Sequence, residues 1–598
     1  AAHQPSLKQA ENFEVIFSQG RAEFRRRDHT IETHTEIVVS SEDDAEMRRV
    51  HITNRSRKRR TLEITSYGEV VLNNAISDAI HPAFSNLFVQ TEIIPARHAI
   101  VCTRRARSVH EQPPSMFHLM KIQGAKIQDI SYETNRDAFI GRGNTIVDPA
   151  AMNTEKTLSG AQGSVLDPIV AIQYRITLQP QETVIVDMVF GIGATRDLCN
   201  VLIEKYQDKH MIDRAFELAW THNQVLLRQI NASEDDAQLY SRLAGSVIYA
   251  NASLRAEAGT LIRNQRGQSG LWSYSVSGDL PIVLLQVEDS TNIELVKQLI
   301  QAHAYWRFKG LVVDLIIWNE DHGGYRQTLQ NQILALINPG ITTDLQEKPG
   351  GIFIRSADQI SNEDRILFQT VARVVISDKM GTLEGQINRR SRLKGIVPLF
   401  TPLKFYPTVE TTIPFRTNLQ FFNGLGGFSP DGKEYLITTT ADNVTPAPWV
   451  NVLANPKFGT VISESGQSYT WIDNAHEFRL TPWSNDPVSD SGGENFYLRD
   501  EESGRFWSPA PLPGRSKAPY TTRHGFGYSV FEHSEDGMQS EMWVYVDVKE
   551  AIKFTVIKVR NLSGRDRRLS ATGYAEWVLG DLRSKTAMHI VTEVDLNS

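Results

Sequence analysis

The chain has 598 residues, of which 40% are hydrophobic and 22% charged, with a formal net charge of −7. At roughly 100–200 residues per domain, that length predicts three to five units rather than one core. Mild acidity excludes a field that gathers nucleic acid. Two cysteines, Cys102 and Cys199, exclude a disulfide framework or a multi-cysteine metal site and favour a reducing compartment, and the longest apolar run, LVVDLIIW from Leu311, is too short to span a membrane.

The first 194 residues read as strands. Apolar and polar residues alternate, as in Leu62 and Ile64 against Glu63 and Thr65, the period of a strand with one buried face. The one dense basic run, RSRKRR (Arg55 to Arg60), falls between two such strands and is expected to be a solvated hairpin tip.

The pattern changes near residue 195, and residues 195–380 read as a helical block. Ile212, Phe216, Trp220, Leu226, Leu227 and Ile230 recur at helical spacing, and Ser233 with Asp236 three residues on is an N-cap signature. Leu295, Leu299 and Trp306 mark one further helix, and Tyr325, Leu329, Ile333 and Leu336 another. Ser361 is a cap for a third. Such stripes are core. Within the block, RNQRGQSGLWSYSVSGDLPIV (Arg263 to Val283) is a polar, glycine-rich loop with two aromatics that matches no phosphate-binding fingerprint. His322 in WNEDHGGY has acids beside it but no second His at the spacing of a helical metal site, so no metal ligand is assigned.

Residues 381–416 carry NRRSRLKG and prolines at 398, 402, 407 and 414, and read as a linker. After it, in the unit 417–598, comes ESGQSYTWIDNAHEFRLTPWSNDPVSD (Glu464 to Asp490), dense in aromatic, amide and charged side chains. Trp471 and Trp483 offer platforms for the C–H faces of sugar rings. Asp473, Asn474, Arg479, Asn485 and Asp486 offer planar groups for hydroxyls. A loop folded on its own hydrogen bonds accounts for the same residues, and Asp486 with Asp490 is no sufficient sign of acid–base chemistry.

The chain contains an internal repeat. Gly20 to Leu72 aligns without a gap with Gly527 to Leu579, at an offset of 507 residues. Gly20, Phe24, Val39, Asn54, Ser56, Arg60, Leu62, Thr65, Tyr67, Glu69, Val71 and Leu72 recur identically. Copy two follows about a hundred residues that copy one lacks, and copy one continues for more than a hundred where copy two stops. The chain is therefore expected to be a piece of a larger polypeptide.

FFNGLGGFSPDGKEYLI (Phe421 to Ile437), TPAPWVNVLANPKFG (Thr445 to Gly459), LTPWSNDPVSD, RHGFGYSVFEH and GYAEWVLGD resemble the N-terminal β-sandwich of the cellobiose-phosphorylase family of inverting sugar phosphorylases. RAEFRRRDHTIETHTEIVV, SYGEVVLNNAISDAIHPAFSNLFVQTE, LDPIV and SGLWSYSVSGDLPIV resemble the region around the phosphorylase-like module of bacterial cyclic β-1,2-glucan synthases. The resemblance implies a multidomain β plus α fold: two β-supersandwich domains, both incomplete, around a helical block resembling an eroded (α/α)6 barrel.

In that family an Asp of the barrel protonates the glycosidic oxygen while inorganic phosphate, the co-substrate, attacks the anomeric carbon. Neither the acid nor the phosphate ligands match positions here, so no catalytic residue, metal or cofactor is expected. The sandwich loops close the sugar site, which makes Glu464 to Asp490 one wall of it. Asp279, in SGDLPI, and Trp272 are weaker sugar-contact candidates. The implied partners are β-1,2-glucan or a related glucooligosaccharide, the rest of a synthase polypeptide and a second copy in a homodimer. The implied location is the cytoplasmic face of a bacterial inner membrane, with this segment itself off the membrane.

Overall fold

The computed structural model describes residues 3–249, 251–320, 328–337, 346–388, 400–402, 418–587 and 589–595. His322, Tyr325 and the prolines at 398, 407 and 414 lie outside the described residues.

The first unit is an eight-stranded antiparallel sheet in the order Asn12–Ser18, Arg21–Asp28, Ile31–Val39, Ala45–Asn54, Thr183–Gly193, Ser115–Gln123, Ala99–Arg104, Val89–Ile94. Both faces are covered over the strands from Ala45–Asn54 onward, while Asn12–Ser18 at the edge is exposed, and alternation sorts the side chains. Ile52, Ile100, Met120 and Val186 pack against a second sheet built on Pro168–Leu178, through Ile172, Tyr174 and Ile176. Met47, Val101, Phe117 and Val189 point the other way, onto the helices Arg196–Gln207 and Lys209–Gln229. Of the expected stripe in the second of these helices, Ile212, Phe216, Leu226 and Leu227 are buried, whereas Trp220 is turned out to solvent and is not core. Ser233 caps the helix Glu234–Ile248 with a reciprocal capping box to Asp236, as its spacing predicts.

The expected all-helical block is corrected by the residues that follow. Ile352–Ser356, Asp314–Asn319, Ile282–Val287 and Val374–Ser377 form a four-stranded, wholly parallel sheet in that order. Helices Glu234–Ile248, Ile293–Phe308 and Thr328–Ile337 cover one face, and Asn362–Val371 the other. Leu295, Leu299, Trp306, Leu329 and Ile333 are buried core, and Ser361 caps its helix. The reason is composition: IVLLQV and DLIIWN are short, β-branched and apolar on both sides, as a strand buried between two helical layers must be. The expected linker is also packed where it begins, for the short helix Leu383–Ile387 sets Leu383 into this core.

The last unit has a six-stranded antiparallel sheet, Gly426–Phe428, Glu434–Thr439, Tyr520–Gly525, Tyr528–Glu535, Met538–Val546, Lys553–Asn561. Two three-stranded sheets accompany it: Val450–Ala454, Phe458–Ser463, Ser468–Ile472, and Phe506–Trp507, Glu494–Asp500, Leu569–Ala575. Leu453, Ile462, Phe531, Met542 and Val544 form a core between sheets.

The repeat holds at the level of register. Arg21 pairs with Val38 as Tyr528 pairs with Tyr545, and Ile31 with Asn54 as Met538 with Asn561. The left-handed positions coincide too: Gly20 with Gly527, His29 with Asp536, Leu72 with Leu579. The basic run is not a hairpin tip. Arg55 to Arg59 turn the chain from the eight-stranded sheet into the second one, and the equivalent turn does the same in copy two. In both, an Asn closes the corner. Asn54 donates to the Lys58 carbonyl and accepts from Ser56, as Asn561 does with Arg565 and Ser563.

Candidate functional site

The strand Ser468–Ile472 puts Tyr469 and Trp471 on one face by its alternation. The Trp471 indole covers Gly459 of the partner strand, where an added Cβ would stand 2.5 Å from it. Tyr469 stacks on Trp483 with ring centroids 5.5 Å apart and planes 26° from parallel, and its ring lies 5.5 Å from that of Trp471. Arg479 is buried, with its guanidinium 5.2 Å from the centre of the Trp483 ring, and its backbone bonds Gly580 in both directions. Burial pulls Arg479 below the ordinary arginine range, while Tyr469, Asp581 and Glu477 oppose the shift.

Tyr469, Trp483, Ser484, Asn485, Asp486 and Gln467 are among the residues around a cavity of about 320 Å³. Three of the sequence candidates, Trp483, Asn485 and Asp486, thus line one space. The other four in the stretch do not. Trp471 faces Gly459, and Arg479 sits behind Trp483. Asp473 is an exposed left-handed turn residue, and Asn474 turns its own loop by accepting from the amides of His476 and Glu477. Trp272 and Asp279 are in the α/β unit. Trp272 is 64% exposed and donates to the Ser277 carbonyl, while Asp279 accepts from Gln268; neither lines the cavity.

Much of the polar density of the stretch joins it to the first sandwich. Arg136, half a chain away, gives Asp486 two parallel hydrogen bonds of 2.8 and 2.9 Å, and spends its remaining donors on Asp167, Glu69 and Ser489. Burial opposes ionisation of Asp486. The Arg136 guanidinium and the amides of Ser489 and Val488 outweigh it and hold the carboxyl below the usual range. Arg142 bridges Glu464 at 2.9 Å and Asp490 at 3.1 Å, and the Gly143 amide donates to Val488. Burial raises Glu464 against the opposing pull of Arg142. His81 contacts the cavity wall twice, edge-on to Trp483 at 5.4 Å and within 3.1 Å of the Asn485 amide nitrogen. The arrangement is an aromatic wall with amide and hydroxyl groups beside it, clasped to the neighbouring sandwich by two arginines.

Sequence reasoning missed Tyr469 and Gln467, although Tyr469 stands two residues before Trp471 on a strand and so shares its face. It had no means of finding Arg136, Arg142 or His81, which meet the stretch only through the fold.

A family model described as glycosyl hydrolase 94, supersandwich domain, matches residues 1–209 and 433–598, together more than half of the chain. The whole chain aligns at 32% identity with cyclic beta-(1,2)-glucan synthase NdvB of Rhizobium meliloti (strain 1021), covering 21% of that protein. N,N'-diacetylchitobiose phosphorylase of Vibrio furnissii is 33% identical over 27% of this chain and 20% of its own length. Solabiose phosphorylase of Paenibacillus borealis is 27% identical over 26% of this chain and 20% of its own. The alignments thus span about a fifth of each relative. No helix among the described residues is long and apolar enough to cross a membrane.

Proposed function

The chain belongs to the glycosyl hydrolase 94 supersandwich family, and from that premise we propose that it is a glucan-recognising support within a carbohydrate-active polypeptide of the cyclic β-1,2-glucan synthase kind. In this reading it serves a phosphorylase-like module that acts on β-1,2-glucan chains at the cytoplasmic face of an inner membrane. The chain itself performs no turnover. The observation that carries the reading is the Tyr469–Trp483 stack beside a cavity of about 320 Å³, with Asn485, Gln467 and Ser484 at its margin. A stacked aromatic pair presents apolar area to the C–H face of a pyranose, and neighbouring amides and hydroxyls orient its hydroxyls.

Asp486, which lines this cavity, argues against catalysis by it. A general acid needs a pKa near the working pH. Arg136 and the amides of Ser489 and Val488 instead hold the Asp486 carboxyl below the usual carboxylate range.

Isothermal titration with linear β-1,2-glucooligosaccharides, with inorganic phosphate present and the mixture then assayed for glucose 1-phosphate, tests both halves. Saturable binding without product is expected. Absence of heat overturns the recognition, and glucose 1-phosphate overturns the non-catalytic role in favour of an active inverting phosphorylase.

A further inference from the structure

Copy one carries a group of side chains that copy two lacks. His34 and His51 sit directly opposite each other on adjacent strands of the eight-stranded sheet, rings 5.9 Å apart and 22° from parallel, and Glu36 follows two residues along on the same face. One ligand atom from each of His34, Glu36 and His51 falls within 4.8 Å of the others. The Nδ1 of His51 is buried without a hydrogen-bond partner and lies 4.0 Å from Glu36, while Nε2 of His34 is 3.0 Å from Glu23. An imidazole nitrogen turned inward toward a carboxylate and left without a hydrogen bond is a lone pair or N–H in want of a partner.

The cations around the group are already committed. Arg21 pairs with Glu36, Arg25 with Glu14 and Glu23, and Arg49 with Asp187 of the sheet and Asp213 of the covering helix. Copy two supplies an internal contrast at the same backbone register. The positions of His34, Glu36 and His51 hold Glu541, Trp543 and Lys558 there. Lys558 satisfies itself on Glu541 at 3.3 Å and over the Trp543 ring.

We propose that His34, His51 and Glu36 form a binding site for a borderline divalent transition metal of the zinc class, with Glu23 beside it. Two imidazoles and a carboxylate are the donor set zinc takes, at roughly 2.0–2.2 Å, and leave a fourth position to water. Cross-strand partners have Cβ atoms roughly 4.5–5.5 Å apart, so side-chain rotation alone gathers the donors without moving the sheet. A bound ion ties the strand Ile31–Val39 to Ala45–Asn54 at the middle of the sheet. It therefore binds the folded state in preference to the unfolded chain and raises its melting temperature. Hard cations such as calcium, which prefer oxygen, do not compete.

The test is titration of zinc chloride into the full chain, followed by calorimetry and thermal unfolding. One equivalent is expected to bind and raise Tm, with calcium in excess leaving both unchanged. His51→Gln and His34→Gln each weaken binding at least tenfold and remove the Tm rise. Zinc affinity equal in wild type and the two variants overturns the site, as does displacement by calcium. A second measurement needs no variant. His34 and His51, each about one-third exposed, are open to diethyl pyrocarbonate. Zinc is expected to protect both, read by peptide mass spectrometry, and equal modification with and without zinc overturns the proposal.

Discussion

The span from Asn12 to Glu69 and the span from Pro519 to Glu576 are one backbone in two settings. In the first, the strand Ala45–Asn54 is paired on both sides, by Ile31–Val39 and by Thr183–Gly193. Its counterpart Lys553–Asn561 is paired with Met538–Val546 and closes the six-stranded sheet. Identical residues consequently carry different loads. The Arg567 side chain is 2% exposed and bonds the Asp500 side chain, itself 1% exposed, whereas the equivalent Arg60 is solvated with Thr30 at 3.5 Å. Asn54 reaches the carbonyls of Leu178 and Gln179 as well as its own corner, and Asn561 has the corner bond to Arg565. The repeat sets register and turns. What each side chain contributes depends on the elements that flank the copy.

The largest effect expected from this contrast is at the arginine pair. Arg567→Ala strips a buried pair of one partner and costs about 3–5 kcal/mol in urea unfolding, while Arg60→Ala stays within about 0.5 kcal/mol. Equal effects would break the comparison. Next is the clasp between sandwiches. Arg136→Ala, which leaves Asp486 and Asp167 without their guanidinium, costs about 3 kcal/mol, and the Arg136→Ala/Asp486→Ala cycle shows coupling above about 1 kcal/mol. Smaller again is the corner: Asn54→Ala costs about 1–3 kcal/mol, because buried carbonyls lose their donor, against less than about 1 kcal/mol for Asn561→Ala.

The smallest effect is in pH dependence. The folded-state pKa of Asp486 is depressed, so its contribution is complete above the ordinary aspartate value near about 4 and is lost as pH falls through the depressed one. Asp486→Asn is expected to flatten that acid limb. An unchanged limb would show that Arg136 does not hold this carboxylate in solution.

The sequence made the repeat, the capping box at Ser233 and the helical stripes legible, because each is a short-range pattern. It did not reveal the parallel sheet. IVLLQV and DLIIWN lack a period when both faces are buried, and the helices beside them dominated the reading. Of the candidate stretch, Trp483, Asn485 and Asp486 come together at the cavity. Trp471, Asp473, Asn474 and Arg479 resemble them in chemistry and differ in where the strand and turn point them. The partners of Asp486 and Asp490 were illegible for another reason: Arg136 and Arg142 are about 350 positions away, and one sequence holds no record of that pairing.

Calorimetric titration of wild type, Trp483→Ala and Trp471→Ala with one β-1,2-glucooligosaccharide decides whether the cavity beside Trp483 holds the sugar. At least tenfold weaker binding is expected for Trp483→Ala, whose ring lines the cavity, and a change within about twofold for Trp471→Ala, whose ring covers Gly459. Equal affinities in all three proteins, or the reverse order of loss, would contradict that placement of the sugar.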